Sequence, residues 1–149
     1  MKPIKFIATT ISEYLNEQLK YKLDGNYVNY FINGDKIGYI EYYYDGGQFS
    51  EYLPNLEKEF YIAMISVDEK FRGNDYSTLM INHIKIFAKE KGATIITLRV
   101  DDGLGFSKRQ SNKGLERLYL KNGFKYQHTE NDFKINQDLN LGAMYYEIK

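Results

Sequence analysis

The chain has 149 residues, and twenty basic side chains balance twenty acidic ones, so its formal net charge is zero. This length suits one domain, and 43% hydrophobic residues are enough for a buried core, which excludes an intrinsically disordered chain. The neutral balance argues against a protein that binds polyanions, so we expect no nucleic-acid partner.

Cysteine is absent and there are only two histidines. This composition excludes a disulfide framework and a cysteine nucleophile, and we expect no metal site. No apolar run approaches the ~20 residues that span a bilayer, and the first residues are too poor in apolar side chains for a signal peptide. We therefore expect a cytoplasmic protein without membrane association, in which residues 1–149 form a single domain.

The first part of the chain predicts a strand, a helix and a hairpin. Residues 4–9 have the composition of a strand, and the apolar residues of 11–23 recur at helical spacing. Residues 27–32 and 36–44 are rich in aromatic and β-branched side chains and flank Asn33-Gly34-Asp35, a turn that tolerates positive φ. Residues 45–57 are predicted to be a loop.

The second part alternates strands and helices. The near-continuous apolar content of residues 59–67 predicts a strand buried on both faces. A helix is expected at 76–91, ended by Gly92, then a strand at 94–100, a loop at 101–110, a helix at 112–122 and strands at 124–128 and 144–148. This order predicts a mixed α/β protein.

The junction between the 59–67 strand and the 76–91 helix has the features of an anion site. The first amides of a helix lack intrahelical partners and lie at the positive end of its dipole, where a pyrophosphate binds well. An ordinary loop with a solvated arginine is the alternative. The junction reads Val67-Asp68-Glu69-Lys70-Phe71-Arg72-Gly73-Asn74-Asp75-Tyr76-Ser77.

This junction resembles the cofactor loop of the GNAT superfamily of N-acetyltransferases, Val-x-Pro-x-x-Arg-Gly-x-Gly-x-Gly/Ala. Val67, Arg72 and Gly73 match, whereas Glu69, Asp75 and Ser77 depart from the pattern. A second register, which starts the motif at Lys70, fits the following helix less well. Asp75 brings a carboxylate to the position where the family binds pyrophosphate, and the like charges would weaken binding.

A second segment resembles the family's Asn-x-x-Ala-x-x-Leu-Tyr-x-Lys-x-Gly-Phe. Only Leu115 departs, where the family has Ala. An inward-facing helix stripe and a glycine stop would also account for part of this pattern structurally. The matching residues are Asn112, Leu118, Tyr119, Lys121, Gly123 and Phe124.

The resemblance implies a GNAT-like fold, with a mostly antiparallel sheet that is split by a V-shaped cofactor cleft and has helices on both faces. It also implies acetyl-CoA as the cofactor and direct attack of an amine on the thioester in a ternary complex. Tyr119 would protonate the departing thiolate. Glu59 and Tyr61 are candidates for the base, as is Glu41 on the neighbouring strand. Cofactor contacts are implied for Ile65, Ser66, Val67, Arg72, Gly73, Asn74, Asp75, Tyr76, Ser77 and Asn112.

Several alternatives stay open. A core tyrosine is the alternative to the catalytic role of Tyr119, and Asn112 either touches the cofactor or caps its helix. A catalytically degenerate acyl-CoA-binding domain of the same fold is the second functional hypothesis, because of Asp75. The acceptor is a small-molecule or peptide amine that the sequence does not identify; Glu41, Asp45 and Glu51 would attract a cationic one. A homodimer is compatible with the sequence.

Overall fold

The computed structural model describes residues 18–44, 58–100, 113–136 and 141–149. The predicted strand at 4–9, most of the helix predicted from residue 11, and the loops at 45–57 and 101–110 lie largely or wholly outside these residues. Of the helices that the structure describes, none is long and apolar enough to cross a membrane.

The described residues form one seven-stranded sheet in the order β1-β2-β3-β4-β5-β7-β6. Among the strands of the described residues, only the β4–β5 pair is parallel, so the mostly antiparallel sheet that the resemblance implied is confirmed. The strands are β1 (Leu19–Asp24), β2 (Tyr27–Ile32), β3 (Asp35–Tyr44), β4 (Glu59–Val67), β5 (Ile95–Arg99), β6 (Lys125–Tyr126) and β7 (Ala143–Glu147).

In the part of the chain that the structure describes, three helices and a short 3₁₀ turn connect these strands: the turn Glu69–Phe71, α1 (Tyr76–Lys91), α2 (Lys113–Lys121) and α3 (Glu130–Ile135). The bounds of α1 agree with the prediction, and Gly92 ends it at φ +97° with its N–H bonded to the last carbonyls. Helix α3 was not predicted, although Thr129 and Asp132 form a reciprocal capping box that the sequence already displays.

The helix prediction for residues 11–23 is wrong from Leu19 onward. Leu19, Tyr21 and Leu23 alternate with lysines, and this period of two fits a strand better than a helix. The tight turn at Gly25 (φ +59°) then returns the chain into β2, and all six residues of β1 find partners there. Pairing across six positions outweighs the helical spacing of the preceding residues.

Two further predictions need correction. Strand β4 is not buried along its length, because Ala63 and Met64 are exposed. The strand predicted at 124–128 is reduced to Lys125–Tyr126, where it pairs with β7. By contrast, the hairpin turn is confirmed: Asn33 and Gly34 both have positive φ, and Ile32 faces Asp35.

The core lies between the sheet and α1. The apolar stripe of α1, with Met80, Ile84, Phe87 and Ala88, is buried as predicted. His83 borders this core: its Nδ1 lies 2.8 Å from the hydroxyl of Tyr30, and burial lowers the pKa of His83 to about 4. The ring is therefore neutral at pH 7 and shares a hydrogen bond with the Tyr30 hydroxyl.

Candidate active site

Strands β4 and β5 part in the middle of the sheet. Their parallel pairing runs from Glu59–Ile95 to Ile62–Leu98 and stops there, although β4 continues to Val67. On its other side β4 stays paired with β3 as far as Val67–Gly38, with a bulge beside Glu41. Among the described residues, one edge of β4 beyond Ile62 is thus left without a strand partner, and this is the V-shaped gap that the family resemblance implied.

Gly38 determines how closely β3 approaches the unpaired end of β4. A Cβ at this position would lie 2.1 Å from the carbonyl oxygen of Ser66 and 3.0 Å from the Cα of Val67. No larger residue fits there unless the strands separate. The glycine therefore fixes the position of β4 at the gap.

A cavity of about 450 Å³ lies at this end of β4. Its walls come from the end of β4, the loop after it, the first turn of α1 and one side of α2. Five residues predicted to bind a cofactor line it: Ile65, Ser66, Val67, Arg72 and Ser77. The cavity is also lined by Gly114, Leu115 and Leu118 of α2, which the sequence did not assign to a cofactor site. The only signal in the sequence was that Leu115 stands where the family has Ala, and this did not indicate contact with a cavity.

The loop between β4 and α1 is held by its own side chains. Arg72 donates from Nε to the carbonyl of Val67 at 3.0 Å, and Asn74 donates from Nδ2 to the carbonyls of Phe71 and Arg72 at 3.2 and 3.4 Å. Gly73 has φ +87°. Asn74 thus stabilises the turn, while Arg72 both braces it and borders the cavity.

Asp75 occupies the N-cap position of α1 in the left-handed conformation, with φ +59°. Its side chain makes no capping hydrogen bond, and the first turn carries no acidic residue. The ring of Tyr76, the first helical residue, packs against Phe71 at a centroid distance of 6.0 Å. The Asp75 side chain therefore does not cap the first amides of α1. Ser77, in the same turn, lines the cavity.

Tyr119 projects from α2 into the core, where only 4% of it is exposed, and its ring lies 5.6 Å from that of Phe124. Burial, and to a smaller extent the phenol of Tyr61, raise the pKa of Tyr119 well above its ordinary value. The hydroxyl is therefore protonated at neutral pH, and burial makes it a weaker acid than a solvated phenol.

Glu59 begins β4 and is 4% exposed. The Thr97 hydroxyl on β5 donates to its Oε2 at 2.5 Å. Burial raises the pKa of Glu59, whereas the Thr97 hydrogen bond and the charge of Arg99 lower it by less. The Arg99 guanidinium also lies 6.0 Å from the ring of Tyr61, so the two candidate bases share one charged neighbour.

The predicted residues thus fall into two groups along β4. Glu59 and Tyr61 share one face, because side chains two apart in a strand point the same way. Ile65, Ser66 and Val67 line the cavity at the far end, roughly 20 Å from Glu59 at the usual rise per residue. Asn112 lies outside the described residues. Within the described part of the chain, no group of three His, Asp or Glu residues is arranged to hold a metal ion.

Residues 5–124 match the model of the acetyltransferase (GNAT) family. Similar solved structures include a GNAT acetyltransferase from Listeria monocytogenes (18% identity, 93% of this chain, 67% of that chain, TM-score 0.58). A GNAT acetyltransferase from Elizabethkingia anophelis, crystallised with acetyl-CoA, matches at 17% identity over 99% of this chain and 91% of that chain, with TM-score 0.55. Ard1 from Thermoplasma volcanium matches at 18% over 83% of this chain and 71% of that chain, also with TM-score 0.55.

A search of curated proteins finds no significant match. At such identities the solved structures support the fold alone, whereas the family match covers most of the sequence, including the β4–α1 junction and α2. The chain belongs to the GNAT family of acetyltransferases.

Proposed function

We propose that the protein is an acetyl-CoA-dependent N-acetyltransferase, a single domain that transfers an acetyl group to an amine by direct attack in a ternary complex. The observation that carries this proposal is the cavity at the β4–β5 gap, which lies against both the first turn of α1 and the helix of Tyr119. A cavity of this volume is in the range of small-molecule sites.

The residues present fit acetyl-CoA. Asp68 donates its N–H to the carbonyl of Ile37, so the backbone of Asp68 faces β3. Because the direction of the backbone N–H and C=O groups alternates along a strand, those of Ile65 and Val67 face away from β3, toward the gap. The Val67 carbonyl on this side accepts a hydrogen bond from Arg72. Ile65 would thus hydrogen-bond the pantetheine amides as an added strand would, since Arg72 already takes the Val67 carbonyl.

The nucleotide end of the cofactor would lie at α1. The uncapped amides there favour a pyrophosphate, and Arg72 keeps its terminal nitrogens for a phosphate after Nε is used. Asp75 opposes this binding by charge, although its main chain already adopts the turn that leads into the helix. When bound, acetyl-CoA supplies the activated acetyl group.

Two proton transfers fall to the protein. Tyr119 keeps its phenolic proton at neutral pH and would donate it to the departing sulfur. Glu59 is the proposed base: burial raises its pKa, which makes it a stronger proton acceptor, and Thr97 fixes its orientation. It stands before the gap, where β4 is still paired with β5, so it would act through Tyr61. Tyr61 lies two residues further along the same face and would relay the proton.

The test combines cofactor binding with thiol release. Acetyl-CoA should raise the melting temperature much more than pantetheine without the nucleotide, and thiol should be released with at least one member of a panel of amines, peptides and aminoglycosides. Binding without release from any acceptor would favour the degenerate acyl-CoA-binding domain. An unchanged melting temperature at millimolar acetyl-CoA would refute both.

A further inference from the structure

A row of side chains crosses one face of the sheet and ends at the gap. The register pairs Asp24 with Tyr27, Tyr27 with Glu41, and Glu41 with Met64. Directly opposed residues of antiparallel strands lie on the same face, so these four residues, here named the Glu41 row, lie side by side. Tyr27 is 38% and Met64 48% exposed. Met64 stands two residues beyond Ile62, where β4 has left β5.

Aromatic rings surround the carboxylate at the centre of the Glu41 row. The Tyr43 hydroxyl donates to Glu41 Oε2 at 2.8 Å, which fixes the carboxylate on the exposed face. Tyr27 packs edge-on against Tyr39 at 5.7 Å. A carboxylate with tyrosine rings beside it attracts an ammonium group by charge, and an exposed ring face adds a cation–π interaction.

The charges of this face are segregated. Lys22 is opposite Asn29, in the row next to the Glu41 row, and Lys36 is opposite Phe31, one row further toward the β2–β3 turn. The Lys36 ammonium itself lies 5.5 Å from the centre of the Tyr39 ring. The Tyr39 ring therefore already accepts a cation from the chain, while Asp24 and Glu41 both lie in the row that ends at Met64. The Lys22 row ends at Ser66, further along β4.

We propose that the Glu41 row binds the second positive charge of the acceptor, so that the preferred acceptor is an aliphatic diamine. This inference rests on the proposed N-acetyltransferase function. Neighbouring strands are about 4.8 Å apart, which puts Glu41 about 5 Å and Asp24 about 15 Å from β4. A slim dication with one ammonium at the gap reaches Glu41 with the other, and the adjoining Lys22 row disfavours a broader polycation.

The experiment compares cadaverine with pentylamine, which has the same carbon chain and one charge fewer, in a thiol-release assay. Glu41→Gln keeps the shape of the side chain and an acceptor for Tyr43. The Glu41→Gln substitution should raise the KM for cadaverine about fivefold, as the loss of one exposed ion pair predicts. The kcat for either amine and the KM for pentylamine should not change. Glu90→Gln, on the exposed end of α1, is the matched control and should change neither.

Equal effects of Glu41→Gln on both amines, or none on either, would overturn the inference while leaving N-acetylation intact. Preference of the wild-type protein for a lysine peptide over cadaverine would overturn the assignment to a diamine. If no amine releases thiol, calorimetry of cadaverine with the wild-type and Glu41→Gln proteins still tests whether the Glu41 row binds a cation. Equal binding to both proteins refutes the Glu41 row as a cation site. Weaker binding to the variant supports the site, although the proposed function has then failed.

Discussion

Replacement of Tyr119 by phenylalanine isolates the proposed proton donor from its structural surroundings. The ring is almost fully buried and packs on Phe124, so Tyr119→Phe retains the apolar volume and removes one hydroxyl. Stability should change by no more than about 1 kcal/mol, the usual net contribution of one hydrogen-bonding group. Binding of acetyl-CoA should be nearly unchanged, because the cavity walls are not altered.

Turnover, by contrast, should fall about 10²-fold or more, which corresponds to roughly 3 kcal/mol of lost transition-state stabilisation. The raised pKa keeps the wild-type phenol protonated throughout the neutral range, so the loss should be the same from pH 6 to pH 8. A residue that titrated in this range would instead give a loss that varies with pH.

Tyr30→Phe is the matched control. Tyr30 is also fully buried, but its hydroxyl is hydrogen-bonded to His83 and neither residue lines the cavity. Its replacement leaves a nitrogen of His83 without that partner and should cost about 1 kcal/mol of stability while turnover is preserved. Melting temperature and thiol release measured on the same preparations separate the two residues. Full turnover in Tyr119→Phe would remove Tyr119 from the mechanism.

Three other substitutions test the loop, the base and the strand contact. Asp75→Gly should tighten acetyl-CoA binding in calorimetry, since it removes a repelling charge; Asn33→Gly, which relieves a similar positive φ in a remote turn, should leave binding unchanged. Burial raises the pKa of Glu59, so the folded state holds its proton to higher pH than the unfolded state, and stability declines as the pH rises through the range above the ordinary carboxyl value. Glu59→Gln should abolish that decline in melting curves and lower kcat/KM about 10²-fold. Gly38→Ala should destabilise the protein by about 2–3 kcal/mol and weaken acetyl-CoA binding, because its Cβ would collide with the Ser66 carbonyl; unaltered binding would show that β4 need not be held this closely.

The sequence alone predicted those parts of the site that depend on local chemistry. The β4–α1 junction could be recognised because a strand end, Arg72-Gly73 and a helix start follow one another without a gap in the chain, and the backbone there does adopt the positive φ that Gly73 and Asp75 tolerate. The second motif marked α2 in the same way, through Tyr119 and the stop at Gly123.

Contacts between distant segments were outside the reach of sequence reasoning. Nothing near Gly114 or Leu118 in the chain indicates that they share a cavity with Ile65, because that cavity exists only once β4 and β5 have parted. The hydrogen bond from Thr97 to Glu59, which singles out Glu59 among the acidic residues, likewise joins two strands separated by α1.

Residue pattern thus determined the type and order of most elements from β2 onward, since hydrophobic periodicity and glycine stops act within a few residues. Tertiary pairing decided the rest. Leu19–Asp24 became a strand because β2 offers it a complete set of partners, and the acidic residues Asp24 and Glu41 came into one row because the sheet register aligns them. Registers are set by long-range burial and hydrogen bonding, whose free energy depends on the partner strand as much as on the residues themselves.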